Sequence, residues 1–589
     1  MWCHRFITLC FSLLHLLSLI DAHKYPLPKS CKASPGSPDW PSRYEWVALN
    51  RSISGRLLQP PPPGAVCHPD QPTYDPATCP AVDTAWFDVN FHVNHPISNL
   101  WNNWNNDSCV PWLIPSPCSG EGYPVYVINA TSKEDVKKGV DFARKHNVRL
   151  NIKGTGHDYL GRSTSPNSLS IWTHNMKGLK FFDSFKPKGC RFHIDTPAIT
   201  MNAGTQFGEV DLAASQKNLS ICSGGGLTVG IGGYLTGAGH SALSSTYGLG
   251  ADNVLEIKVV TPGGQILTVN ECQHQDLFWA LRGGGGSTFG IITSVTIKAF
   301  PSTPFIVNTL SFGTAPPYTE TYWNGITYFL SKYPLLSSQG LGGYGFILPN
   351  TTYNNTQIGA FEGAFLMPVL SASNTSASVE AAISPILANI SATYPNQWQF
   401  IMNTTTYRSF YDWFQNNNGP DNAGIDMAVG SRLLDEKALT ANLTALKVTL
   451  QNSIPPGSVG SAYLVSGKGV RDAKPRGGSN AVLPAWRESL VHYVIGVSWT
   501  PQNETEKAQQ QNLLTNTYVK ALRDLAPNTG SYVNEADANE PHFQKTFWGT
   551  NYPRLLKIKR EIDPDDVLWC TPCVGNDRWH LVGNDLCRV

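Results

Sequence analysis

Two segments dense in glycine constrain the fold of this chain more than any other feature. The first is Ile152-Lys-Gly-Thr-Gly-His-Asp-Tyr-Leu-Gly161. The second is Ser223-Gly-Gly-Gly-Leu-Thr-Val-Gly-Ile-Gly-Gly-Tyr-Leu-Thr-Gly-Ala-Gly239. Without a Cβ, glycine adopts positive φ and lets backbone N–H groups approach an anion closely. Around the first segment the pattern reads as a β-α-β unit: a strand at Tyr123–Ile128, a capping box at Thr131-Ser-Lys-Glu134, a helix to about His146 and a strand at Val148–Ile152. The first glycine loop therefore leaves the carboxyl end of a strand, where α/β proteins bind ligands. Further on, Val254–Val260 and Gln265–Val269 read as a hairpin, Asp276–Arg282 as a short helix and Gly290–Ile297 as a strand.

Two glycine loops, each beside a predicted strand, suit the pyrophosphate of a dinucleotide. A nicotinamide site fits poorly: Gly237-Ala-Gly239-His-Ser-Ala242 follows no convincing strand and has no acidic residue about twenty positions on. No lysine–hydroxyl pair closes either loop, which argues against nucleotide hydrolysis.

Composition narrows the setting. Across 589 residues, Lys+Arg 44 and Asp+Glu 43 nearly cancel, so no global field attracts nucleic acid or an acidic membrane. Only 15% of residues are charged and 11% are aromatic, which excludes a disordered chain or a coiled coil. Met1–Ala22 reads as a secretory signal, its apolar stretch being short for a membrane span, and no later stretch is long and apolar enough to cross a bilayer. The mature chain is thus expected to be secreted and soluble. Cys31, 67, 79, 109, 118, 190, 222, 272, 570, 573 and 587 remain after the signal, so disulfides are expected with at least one thiol left over. Cys570-Thr-Pro-Cys573 has no second half for a zinc site, and no metal is expected. Asn-x-Ser/Thr sequons at Asn50, 106, 129, 218, 350, 354, 374, 389, 403, 442 and 503 predict N-glycans that would solubilise the charge-poor surface.

The expected organisation is a signal over 1–22, a Pro/Cys-rich extension over 23–118 and a cofactor domain over 119–303. A substrate domain over 304–500 and a segment over 501–589 that completes the cofactor site follow. Trp101, Trp104 and Trp112 suggest that the extension docks on a neighbour.

The two glycine loops, Ala251-Asp-Asn and Asp276-Leu-Phe-Trp-Ala-Leu-Arg-Gly-Gly-Gly-Gly286 resemble the FAD-binding (PCMH-type) domain of the vanillyl-alcohol-oxidase superfamily. Tyr532-Val-Asn-Glu-Ala-Asp537, Phe547-Trp-Gly-Thr-Asn-Tyr-Pro-Arg-Leu555 and Asp563-Pro are similar to its berberine-bridge-type branch, with the texture of secreted fungal FAD-linked oxidases. The resemblance implies an α+β fold, a two-part FAD-binding domain with an inserted α+β substrate domain. It places His157 where the flavin 8α-methyl is attached, with Lys153, Gly154, Thr155, Gly156 and Asp158 along the pyrophosphate and ribityl chain. Gly226, Leu227, Thr228, Val229, Gly230, Gly232, Gly233, Tyr234, Gly237 and Ile291 complete the implied cofactor set. Bicovalent relatives carry a cysteine where Gly226 stands, so a single covalent bond is expected and Cys222 is left as a disulfide partner. Tyr234 replaces a frequent histidine, and its hydroxyl could donate near the flavin N1–C2 carbonyl. Val229 matches a position governing oxygen access.

The implied reaction is hydride transfer from a small alcohol-type or natural-product substrate to flavin N5, with O2 reoxidising the flavin to give H2O2. Glu535 stands where the plant branch has a tyrosine base; it is ionised near neutral pH, and burial is expected to raise its pKa toward working pH. Were 532–535 a strand, Tyr532 and Asn534 would face the flavin and Glu535 would point away. Arg471, Asp472, Arg487, Glu488, His492 and Tyr493 are further acid–base candidates. An oxidative cyclase or desaturase, or a low-turnover flavin-binding protein, are the alternative functions.

Overall fold

The computed structural model of the protein describes residues 31–589 apart from 115, 315–318, 354, 418 and 420. The signal over 1–22 and the sequon asparagine 354 lie outside these residues. Among the described residues no helix is long and apolar enough to cross a membrane.

Parallel strands Tyr126–Asn129, Ser168–Trp172 and Arg149–Lys153 form the first sheet, extended at one edge by Leu57–Leu58 from the N-terminal region. The predicted helix runs Lys133–His146, one residue out of phase with the expected cap. Ser132 is the N-cap, and its partner is Asp135 rather than a glutamate. Val136, Val140 and Ala143 are buried against this sheet, as their spacing on one helical face requires. A second, antiparallel sheet takes Leu179–Phe182, Ala198–Asn202, Ile291–Lys298, Val254–Val260 and Ile266–Asn270 in that order, and contains the expected hairpin.

Residues 305–498 build a seven-stranded antiparallel sheet in the order Gln399–Tyr407, Phe305–Thr314, Thr356–Pro368, Gly342–Tyr353, Gly460–Leu464, Ser489–Ser498 and Met427–Asp435. Side chains alternate across it. Phe312, Phe361, Phe365, Ile347, Val491 and Tyr493 pack into a core with the helices Thr319–Leu330, Ser376–Thr393 and Leu443–Ser453. The opposite face carries rows set by strand register. One runs Asn403, Thr309, Ala364, Tyr344, Tyr463, His492, Leu433; the next runs Ile401, Ser311, Glu362, Phe346, Ser461, Val494, Ser431. This face roofs the cavity described below.

The N-terminal region is more structured than an irregular extension, with helices Arg43–Ser52, Cys79–Ala85 and Val89–Asn94. Trp101 stacks on Tyr159 with ring centroids 4.8 Å apart, and Trp104 seats on Gly161, where a Cβ would lie 2.4 Å from its ring. Trp112 instead stacks on Phe87 and stays partly exposed. Disulfides join Cys31–Cys587, Cys67–Cys79, Cys109–Cys118, Cys190–Cys272 and Cys570–Cys573. Cys222 is buried as a free thiol, not a disulfide partner, because the other ten described cysteines pair among themselves.

Candidate active site

Both glycine loops, the roof sheet and the 532–535 segment converge on one cavity of about 890 Å³. Gly154, Thr155, Gly156, His157 and Asp158 line it from the first loop. Gly224–Gly226, Val229, Gly230, Gly232, Gly233 and Tyr234 line it from the second, with Gly286, Gly290 and Ile291 beside them. A Cβ at Gly232 or Gly233 would meet nothing within 4 Å, so bare backbone faces open space there. This is the surface an extended dinucleotide needs: large, glycine-walled and able to present N–H groups.

His157 lies in the cavity wall with Nε2 2.7 Å from the Thr228 hydroxyl. Nδ1 is thus the ring nitrogen left for another bond. Burial, with Lys153 adding to it, pushes this imidazole down to about 4, so it is neutral and keeps a lone pair near neutral pH. Asp421 Oδ2 stands 2.5 Å from where a Gly226 Cβ would be, so a carboxylate borders the second loop at this point.

Several residues expected along the cofactor do not line this cavity or are otherwise engaged. Lys153 does not line the cavity; its buried Nζ donates to the carbonyls of His92, Val93 and His95 at 3.3, 3.2 and 2.9 Å, tying the first loop to the N-terminal region. Leu227 points outward at 38% exposure. Gly237 is buried behind Asn534, whose side chain would lie 2.3 Å from an added Cβ. Thr228 serves through His157 rather than as a wall residue. The Tyr234 hydroxyl is already engaged, 3.0 Å from the Cys222 carbonyl and 3.1 Å from that of His240.

At the catalytic end, Val533–Glu535 is a 3-10 turn, not a strand. In that turn Tyr532, Asn534 and Glu535 all reach the cavity, so Glu535 does not point away. Asn534 donates to the Gly233 carbonyl and the Tyr532 hydroxyl at 2.9 Å each, and accepts from Arg162 Nη2 at 2.9 Å. Glu535 is gripped by two imidazoles: His492 Nε2 is 2.8 Å from Oε2 and His240 Nε2 is 3.2 Å from Oε1. Burial alone would raise its pKa, but electrostatic attraction to the two neighbouring imidazoles and hydrogen bonds from both rings outweigh it. The carboxyl therefore sits well below its ordinary range, the reverse of the expected shift. Burial pushes His492 down as well.

His240 escaped sequence reasoning because it follows a glycine loop and nothing in its spacing pairs it with residue 535. His492 is the one acid–base candidate of the middle region that reaches the site, as its register opposite Tyr463 and Leu433 places it on the roof face. Arg487 instead bonds Asp252 through two nitrogens, each at 2.7 Å. Arg471 pairs with its neighbour Asp472, Glu488 is exposed and Tyr493 is in the core. Tyr344, Tyr463, Phe410, Trp413 and Phe414 add an aromatic wall that the sequence did not point to.

Residues 124–270 match the FAD binding domain family, and 531–574 match the berberine and berberine like family. An uncharacterized FAD-linked oxidoreductase of Arthroderma benhamiae is 38% identical over 98% of both chains. The chain belongs to the FAD-linked oxidoreductases of the VAO/berberine-bridge-like family. FAD-linked oxidoreductase ZEB1 of Gibberella zeae is 35% identical over 94% of both chains. The solved VAO-type flavoprotein MtVAO615 from Myceliophthora thermophila C1 superposes with a TM-score of 0.85 at 31% identity, over 95% of this chain and all of that one. FAD is accordingly the cofactor whose class the family sets, and the cavity's size and glycine walls fit it.

Proposed function

We propose that this family member is a secreted oxidase that oxidises an alcohol-type or natural-product substrate, with FAD attached through Nδ1 of His157. The observation that carries the reading is the Glu535 carboxylate, bonded to His240 and His492 in the wall of the same cavity that His157 lines. When bound, the flavin supplies the hydride acceptor at N5 and passes the electrons to O2, giving H2O2. The protein has to hold the substrate and take its proton.

Glu535, kept ionised, is too weak a base to hold a proton alone near neutral pH. It fixes the Nε2–H tautomer of each neighbouring imidazole and stabilises the cation formed when one accepts a proton, as a carboxylate does in a carboxylate–imidazole pair. His240 lines the cavity and is the acceptor; His492, fully buried, holds the far carboxylate oxygen. Tyr344 and Tyr463 wall the substrate side, and Thr228 holds the His157 ring for attachment. Several disulfides support passage through the secretory pathway, and glycans at the exposed sequons would complete that picture.

Anaerobic mixing with candidate alcohols tests the reading. Rapid bleaching of the flavin in the wild-type protein, with H2O2 on admitting air, is the expected result. No bleaching with any alcohol or natural-product panel, by a protein that carries flavin, would leave a flavin-binding protein without this turnover. A cyclised product would assign ring closure as the second half of the same oxidation.

A further inference from the structure

Behind the first glycine loop lies a buried charge that the chemistry of the site does not use. Lys153 is 1% exposed, and among the described residues no carboxylate pairs with it. Its Nζ donates instead to the carbonyls of His92, Val93 and His95, at the carboxyl end of the helix Val89–Asn94. A helix end leaves such carbonyls short of partners and favours a cation beside them. Burial still pushes the ammonium from 10.5 down to about 7. An apolar side chain would fill the same space without that desolvation cost. What the ammonium adds is direction: three carbonyls fix Nζ, and with it the strand end from which the loop departs.

The same part of the N-terminal region backs the rest of the loop. Leu100 N donates to the Gly156 carbonyl at 3.1 Å. Gly156 has a φ of +89°, and a Cβ there would lie 3.1 Å from Asn99 Cα, so loop and segment are in direct contact. Trp101 stacks on Tyr159, and Trp104 seats on Gly161. The loop is thus held at 153, 156, 159 and 161, on both sides of His157. Its glycines make it costly to order, and misplacing a reacting group by about 1 Å can slow its reaction roughly 10²-fold. All these contacts come from residues 92–104, outside the residues 124–270 that match the FAD binding domain.

We propose that the N-terminal region is the positioning element for covalent flavin attachment, with Lys153 as its main positioning residue, while the glycine walls suffice to bind FAD. The proposal rests on the reading that FAD is attached through His157. In that attachment a bond forms between Nδ1 and the flavin 8α carbon. One 8α C–H bond and the Nε2–H bond break, and the two protons leave with two electrons that the ring passes to O2, giving H2O2. Thr228, 2.7 Å from Nε2, is placed to take the imidazole proton.

The test uses the purified full chain saturated with FAD and two readouts other than turnover: flavin bound per chain, and the fraction of it that acid precipitation releases. Wild type should release none. Lys153→Met, which keeps the length and removes the donors, should bind FAD and release at least half of it. Lys153→Arg, which still donates to carbonyls, should release less than Lys153→Met. Asn99→Ala, which drops the side chain that accepts from Trp101 N at 3.0 Å, should release a smaller but measurable fraction. A lysine that only stabilises the fold would lower the melting temperature of Lys153→Met and leave its FAD attached, and that result overturns the proposal. Equal release from Lys153→Arg and Lys153→Met also overturns it. Should Lys153→Met fail to bind FAD, Asn99→Ala decides: partial release supports the proposal and full retention overturns it. A wild-type protein that itself releases all its FAD overturns the attachment reading and this proposal with it, whereas FAD retained by both wild type and Lys153→Met overturns this proposal alone.

Discussion

Replacing Glu535 by Gln removes the charge to which both histidines are bonded while keeping the side chain's size. The expected outcome is a fall in the rate of flavin reduction of roughly 10²–10⁴-fold, the usual worth of general acid–base catalysis, with flavin content unchanged. Stopped-flow reduction checks it, and His240→Gln should fall by a similar factor because the two act as one unit. Thr228→Val strips the partner from His157 Nε2 and lets the ring turn away from the attachment geometry. Acid-precipitated Thr228→Val should then release a measurable fraction of its FAD into the supernatant, and His157→Ala all of it. At this scale the sequence was informative where chemistry is local. The glycines, His157 and the 532–535 motif are contiguous signals. His240 and Arg162 gain meaning only from partners 295 and 372 positions away.

The junction between the N-terminal region and the roof sheet is an element-scale device. Leu100–Asn103 lies along Gly424–Met427 through backbone and side-chain hydrogen bonds. Behind this seam, Asp107 and Asp426 are buried against each other at 3% and 1% exposure. Burial first, and then Asp107, push the Asp426 carboxyl from 3.8 up to about 9. The folded chain therefore keeps a proton that the unfolded chain releases, so this group's contribution to stability declines as pH rises from about 4 to about 9. Asp426→Asn keeps the donor without the ionisation. Its melting temperature should exceed that of wild type at pH 8, with the gain vanishing near pH 4. Thermal melts at the two pH values check this. The seam was illegible in the sequence, since the tryptophans announced that the extension docks but not on what. Register was equally hidden, because strands of twelve and thirteen residues such as Gly342–Tyr353 and Thr356–Pro368 permit many alignments until their buried face selects one.

At the scale of the whole molecule, Cys31–Cys587 joins the two ends of the described chain across 556 positions. Loop closure of that length removes much of the freedom of the unfolded state, and Cys31→Ser should cost roughly 2–5 kcal/mol. The expected sign is a melting temperature lower by several degrees, with the flavin spectrum unchanged. Thiol titration offers an independent check. Native protein should react with no reagent at Cys222, whose thiol burial pushes far up, and denatured protein should expose it. The fold class and the place of the inserted middle region followed from motif order. The identity of the roof did not, because its cavity-facing positions are spread singly over strands.

That spreading bears on how such an enzyme changes its substrate. Thr309, Ser311, Tyr344, Phe346, Glu362 and Ala364 occupy adjacent points of a lattice whose spacing is fixed by backbone hydrogen bonds. Each is a single side chain on a paired strand, and none contributes a bond to Glu535. On the proposed function, selectivity and turnover are expected to separate, and a library randomised at these six sites should recover new substrates in variants that keep the parental flavin chemistry.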